Sequence, residues 1–376
     1  MLRRTKSIRL VLFFTRDVSL QTWDNVGMFD REVALYERLR DKGVCVSFVT
    51  YGNADDLDYR ERLPRIEILC NRWGLPNRFY EKFLHRLHGI SQKSCDLIKT
   101  NQMSGADTAL RAAKMWNKPL IARCGYMFSY NVGRQYGFGS SNTWKARKLE
   151  KKVFQAADRI IVTTNQMLKQ IEVLSTEFGE KTNVLPNYVD TEKFFPTKTN
   201  KDFDILVIGR LANEKNIASL LEAVRELKCR IVIIGKGPLE KELKKKYGNM
   251  DNCLDWISQV PNNELPDYMN RSKIYVIPSH YEGHPKSLIE AMSCGMPVIG
   301  ADSPGIREII HHGKNGLLCG TDFESICQAI QRLLNDPSLA KKIGKRARKF
   351  VLKNCTLEDL VEKELKIIKE VAALKI

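Results

Sequence analysis

Two glutamates, Glu282 and Glu290, are separated by seven residues in the stretch Glu282-Gly283-His284-Pro285-Lys286-Ser287-Leu288-Ile289-Glu290. The apolar run Ile274–Pro278 before them predicts a strand. The spacing over Ser287–Cys294 predicts a helix, with Pro285 near its first turn, where a missing N–H costs nothing. Gly283 lets a ligand approach the backbone N–H groups, and the positive end of the helix favours an anion. A carboxylate is an odd companion for a phosphate unless it binds hydroxyl groups. Two carboxylates flanking such a helix start suit a ligand with both phosphate and sugar hydroxyls, which describes a nucleotide sugar. Arg210 and Lys215 follow the apolar run Asp204–Gly209, at the carboxyl end of a strand and the start of a helix. Two cations there would neutralise a diphosphate. Gly235 and Gly237 form another strand-to-helix turn, a motif that is not specific by itself.

Each feature has a plainer reading. Glu282 alone would be a carboxylate stabilised by a helix dipole, and Glu290 alone a surface helix residue. His280 and His284 would need a third ligand to make a metal site, and none is within sequence reach, so they read as loop histidines. His311-His312 precedes Gly313 in a turn. Asp56-Leu57-Asp58 mimics a metal-binding triplet but sits in the acidic turn Asp55–Asp58, which reads as a solvated loop.

The elements that must position these residues alternate along most of the chain. Strands are expected at Ile8–Thr15, Val44–Tyr51, Ile66–Cys70, Leu97–Thr100, Pro119–Arg123, Arg159–Thr163 and Asn183–Pro186, with helical patterns such as Gly27–Lys42 between them. A polar stretch, 186–200, reads as a linker. Strand–helix alternation then resumes at Asp204–Gly209, Arg230–Gly235, Leu254–Ile257, Ile274–Pro278 and Pro297–Gly300. Continuous apolar strands separated by helices mean parallel sheets covered on both faces. The expectation is an α/β chain of two Rossmann-like doubly wound domains facing a cleft. Their spans are 1–190 and 201–354, followed by a helical end, 355–376, with an apolar face of Leu360, Leu365, Ile367, Ile368 and Val371.

The run Glu282–Glu290 resembles the Glu-x7-Glu motif of the family 4 retaining glycosyltransferases, which have the GT-B fold. The surrounding EGHPKSLIEAMSCGMPVIGADSPGIREII and HGKNGLLC are similar to that family, as are GRLANEKN at 209–216, IIGKGPLEKEL, and PNYVDTEKFFP at 186–196. The likeness is specific across the second domain and general in the first. It implies that Arg210 and Lys215 hold the donor diphosphate and stabilise the departing nucleotide, without a metal cofactor. It implies that Glu290 accepts hydrogen bonds from ribose hydroxyls and Glu282 contacts the donor sugar. Backbone N–H groups near Lys286, Ser287 and Leu288 would cap the phosphates, with Gly283 nearby. Gly27, after the loop Trp23-Asp24-Asn25-Val26, would approach the phosphates from the first domain, and the C-terminal helix would cross back to that domain. The sequence departs from the pattern in lacking a first-domain histidine near Ile121–Tyr126; only His85 and His88 precede Asp190.

Composition sets the remaining bounds. The chain has 376 residues, 43% hydrophobic and 28% charged, enough for large cores and unlike a disordered chain. The net charge is +17, with 31 basic and 20 acidic residues up to Asp190, so the first half attracts something anionic. The ten cysteines lack zinc or redox spacing and read as free thiols of a reducing compartment. Leu10–Phe14 is too short for a secretory signal, and no apolar run reaches the ~18 residues of a membrane span. The expected setting is cytoplasmic, or peripheral on a membrane inner face. The stretch 74–99 reads equally as a basic amphipathic helix on anionic lipid or as a core-packing helix with a basic outer face. The basic segment Arg111–Arg159, with Trp116 and Trp144, would face an anionic acceptor or a membrane; no motif supports nucleic acid. The expected partners are a nucleotide-sugar donor and a glycan or lipid-linked acceptor. The alternatives are a nucleotide-sugar epimerase or glucan synthase of the same fold, and a non-catalytic membrane-bound relative.

Overall fold

Thirteen short apolar segments become strands in a computed structural model that describes residues 7–250 and 253–374. In the first unit they are β1 (Ile8–Phe13), β2 (Val44–Val49), β3 (Ile66–Leu69), β4 (Leu97–Thr100), β5 (Leu120–Cys124), β6 (Arg159–Val162) and β7 (Thr182–Val184). In the second they are β8 (Phe203–Ile208), β9 (Ile231–Ile234), β10 (Leu254–Ile257), β11 (Ser272–Ile277), β12 (Val298–Ala301) and β13 (Leu317–Cys319). The first sheet has the order β3-β2-β1-β4-β5-β6-β7 and the second β10-β9-β8-β11-β12-β13. All pairings are parallel. In each sheet the order reverses beside the first strand, between β1 and β4 and between β8 and β11. Such switch points open a crevice at the strands' carboxyl ends.

The first unit comprises the chain to Leu185 together with Leu360 onward; the second runs from Pro186 to Asp359. Side-chain alternation explains how each sheet is covered. In β11, Ile274 and Val276 join one apolar cluster while Tyr275 and Ile277 join the other, so both faces are buried under helices. The last helix, Leu357–Ala373, buries Leu360, Leu365, Ile367, Ile368 and Val371. Within the first unit its Glu364 pairs with Lys99 at the end of β4, and both side chains are almost fully buried. The Lys99 ammonium also lies 5.1 Å from the centre of the Tyr36 ring.

Several local expectations are corrected. Trp23-Asp24-Asn25 is not a loop but the end of the helix Leu20–Asn25, started by a Ser19–Thr22 capping box. The acidic turn at 55–58 is not wholly solvated: Asp56 is buried and accepts hydrogen bonds from Thr50 Oγ1 at 2.5 Å and from the amides of Leu20 and Gln21. Its carboxylate leaves no space for a side chain at Gly52. The stretch 74–99 is helical only over Asn77–Leu87, and Tyr80 and Leu84 pack into the core. Trp116 is buried, whereas Trp144 is exposed. The polar stretch read as a linker is anchored within the second unit: the Phe194 ring is buried, and its carbonyl accepts from Ser293 Oγ and Arg348 Nη1. The edge strand β13 has three residues and follows a turn, too short a pattern to read from sequence.

Candidate functional site

The charged and glycine residues of the candidate site in the second unit follow the carboxyl ends of β8, β9 and β11. After β8 comes Gly209-Arg210-Leu211-Ala212, then a short 3-10 turn, Asn213–Lys215. The amides of Gly209 and Leu211 donate to the carbonyls of Ile234 and Lys236, binding this loop to the one after β9. That contact explains two glycines. A Cβ on Gly235 would stand 1.9 Å from the Gly209 carbonyl oxygen, and one on Gly237 2.3 Å from that of Leu211. Close backbone approach therefore requires glycine at both positions, whatever ligand binds.

Lys215 and Glu282 meet: Nζ is 2.6 Å from Oε1, and both side chains are mostly buried. The lysine stem passes over Gly209, within 3.9 Å of where a side chain would begin. Arg210 is exposed on the same loop. The segment carrying Glu282 is fixed at three points. His280 N donates to Glu214 O, Glu282 N donates to Pro304 O, and Ser303 Oγ donates to Ser279 O. Gly305 closes over it with φ +81°; a Cβ there would lie 2.2 Å from the Gly283 carbonyl oxygen. Asn216, at φ 52°, reaches across with its amide to the carbonyls of Pro278 and Thr321, at 3.2 and 2.7 Å.

The helix Lys286–Ser293 begins at Pro285 without a side-chain cap. Its start is nonetheless located. Ser287 Oγ accepts from Tyr275 Oη of β11 at 2.7 Å and donates to Ile208 O at the end of β8 at 3.5 Å. Burial, reinforced by the charges of Glu282 and Glu290, pushes the Tyr275 hydroxyl well above its ordinary pKa, so it stays a donor. The amides of Lys286, Ser287 and Leu288 form the first turn, where helix N–H groups lack partners within the helix. Leu288 itself is a core side chain. Glu290 is not a surface residue: it is 1% exposed, and its Oε1 accepts from Asn262 Nδ2 at 3.0 Å. His284 is buried, and its Nδ1 has no hydrogen-bond partner; burial lowers its pKa to about 4, so the ring is neutral. Among the described residues, no group of three His, Cys, Asp or Glu is gathered as a metal site.

Glu282, Lys215, Arg210, Gly283, Glu290, Gly235, Gly237 and the Lys286–Leu288 turn thus belong to one unit, at the switch point between β8 and β11 and the adjoining end of β9. Gly27 belongs to the other unit, where it follows the helix Leu20–Asn25 at φ 69°. Sequence reasoning missed Asn216, Asn262, Tyr275, Ser303 and Gly305, which hold the others in place. Only Gly305 carried a signal, the turn-forming Pro304-Gly305 pair.

Comparison with known proteins bears on the family and the fold. Residues 189–350 match the family described as glycosyl transferases group 1, and residues 33–193 match glycosyltransferase family 4. The chain is 32% identical over 172 residues to the amylovoran biosynthesis glycosyltransferase AmsK of Erwinia amylovora, an alignment covering 41% of this chain and 42% of that protein. It is 24% identical to a UDP-Gal:alpha-D-GlcNAc-diphosphoundecaprenol alpha-1,3-galactosyltransferase of Escherichia coli, over 82% of this chain and 84% of that one. Among solved structures, sucrose-phosphate synthase from Thermosynechococcus elongatus superposes with a TM-score of 0.81 at 21% identity, covering 97% of this chain and 99% of the other. Anabaena HepE in complex with UDP-glucose gives a TM-score of 0.76 at 15% identity, covering 96% and 100%. At these identities the structures establish the fold alone.

Proposed function

The chain is a glycosyltransferase of the group 1 type, in family 4 with the GT-B fold, and from that membership we propose that it transfers a sugar from a nucleoside diphosphate donor to an acceptor hydroxyl with retention of anomeric configuration. The observation that carries this reading is the pairing of Lys215 with Glu282 at a switch point that also bears Arg210 and an uncapped helix start.

In the proposed reaction, the bond between the anomeric carbon and the diphosphate oxygen breaks, and its electron pair leaves with the nucleoside diphosphate. Arg210, Lys215 and the amides of Lys286, Ser287 and Leu288 neutralise that charge, so no metal cofactor is called for. The acceptor oxygen forms the new bond on the face the diphosphate leaves, and its proton passes to the departing phosphate. Glu282 accepts from donor-sugar hydroxyls while orienting Lys215. Glu290, held by Asn262, takes the ribose hydroxyls. The Erwinia relative is named for amylovoran biosynthesis and the Escherichia relative for a diphosphoundecaprenol-linked acceptor, which supports a glycan or lipid-linked acceptor in surface polysaccharide, lipopolysaccharide or glycolipid assembly as this chain's substrate.

Thermal stabilisation by a panel of nucleotide sugars identifies the donor, since a ligand that binds only the folded chain raises its stability. Product analysis with that donor then tests the reaction. Free nucleoside diphosphate and a lengthened acceptor are expected; an isomerised donor contradicts transfer.

A further inference from the structure

The helical hairpin after β5, wholly within the first unit, combines exposed aromatic rings and exposed cations with no exposed acid. Its helices are Phe128–Tyr136 and Ser141–Ala156. At ~3.6 residues per turn, Trp144, Lys148, Lys151 and Gln155 line up along the second helix, with Lys145, Arg147 and Lys152 beside them. The opposite side packs Ala146, Val153 and Phe154 into the core. Glu150 is the only acid between Gly125 and Ala157. It faces inward, buried, and accepts from Ser129 N at 3.0 Å.

The turn joining the helices is held by local contacts. Gly137 adopts φ +90°, Thr143 Oγ1 donates to its carbonyl at 2.8 Å, and the Phe138 ring covers Gly133 so closely that a Cβ there would meet it at 2.5 Å. On this frame Trp144 is 62% exposed, Tyr136 55%, Phe138 47% and Tyr130 45%. Single exposed aromatics are ordinary, but four in one hairpin are not. Two of them lie directly under cations, Arg134 over Tyr130 at 4.7 Å and Lys148 over Trp144 at 5.0 Å.

We propose that this hairpin docks the protein on an anionic phospholipid bilayer, with the lysine-rich face of its second helix on the headgroups and Trp144, Phe138 and Tyr136 at the interface. Charge complementarity selects the occupant: six cations and no outward acid match a negative leaflet. The rings select lipid over other polyanions, because Trp and Tyr favour the zone where apolar and polar phases meet. The inference concerns the first unit alone and stands or falls independently of the donor-site reading.

Flotation of the full chain with phosphatidylcholine vesicles, with and without an equal share of phosphatidylglycerol, tests it. Binding is expected only with the anionic vesicles and is expected to weaken with salt. Reversing Lys148→Glu, Lys151→Glu and Lys152→Glu together should lower the bound fraction at least about tenfold. Trp144→Ala with Phe138→Ala should lower it several-fold. The control triple Lys341→Glu, Lys342→Glu, Lys345→Glu changes net charge equally on another exposed helix and should bind as the parent does. Far-UV circular dichroism and an unchanged melting temperature report that each variant is folded. No flotation at low salt, equal flotation of the hairpin reversal, or equal loss in the control would overturn the proposal. So would an oligonucleotide whose binding is lost in the hairpin reversal while flotation persists.

Discussion

Lys215 and Glu282 hold each other at 2.6 Å, and that contact depends on neighbours with no charge of their own. Asn216 ties three loops together, and Gly305 admits no side chain against the carbonyls of Glu282 and Gly283. Gly305→Ala should therefore displace Glu282 and lower kcat/KM roughly tenfold or more while leaving secondary structure intact, as steady-state kinetics and circular dichroism would show. Arg210→Ala should lower kcat about a hundredfold by removing charge from the leaving group. His284 gives a pH signature. Its folded pKa of about 4 is below the unfolded value, so the unfolded chain takes up the proton first as pH falls. Its contribution is present above about pH 6.5 and is lost as the pH drops towards 4, costing about 2 kcal/mol by pH 5. Urea unfolding at pH 7 and 5 measures it, and His284→Gln should reduce the difference. The charged members of the site were legible because their types and spacing imply an anion with hydroxyls. Asn216, Asn262 and Ser303 were not, because each acts through hydrogen bonds to chain segments distant in sequence.

At the scale of elements, twelve strands were legible as apolar runs because a parallel sheet buries both faces and leaves no polar alternation to confuse. β13 was hidden by its three residues, and the helix Leu20–Asn25 by its brevity. Asp56 shows the converse: an acid in an acidic turn looks solvated until the fold brings the amides of Leu20 and Gln21 to it. The last helix carries its own test. Burial lowers the Lys99 pKa while Glu364 opposes that shift, so each charge is tolerable only beside the other. Glu364→Ala should cost about 3–5 kcal/mol in urea unfolding by stranding the ammonium, whereas Lys99→Met with Glu364→Leu should recover most of the loss.

At the scale of the whole chain, two doubly wound units were readable from the repeated alternation of strand and helix. The assignment of Leu360 onward to the first unit needs contacts, because an apolar helix face does not name the surface it covers. Removing the chain after Asp359 should make the segment to Leu185 the first to yield to limited proteolysis, by uncovering Lys99 and the surfaces packed by Ile367, Ile368 and Val371. Among the described residues no helix is long and apolar enough to cross a membrane. The central claim, that Arg210 and Lys215 stabilise a departing nucleoside diphosphate, is tested most directly by single-turnover analysis of donor and acceptor products. The expected result is nucleoside diphosphate released in step with a lengthened acceptor, slowed about a hundredfold or more by either Arg210→Ala or Lys215→Ala. Unchanged turnover in both folded variants would contradict the account.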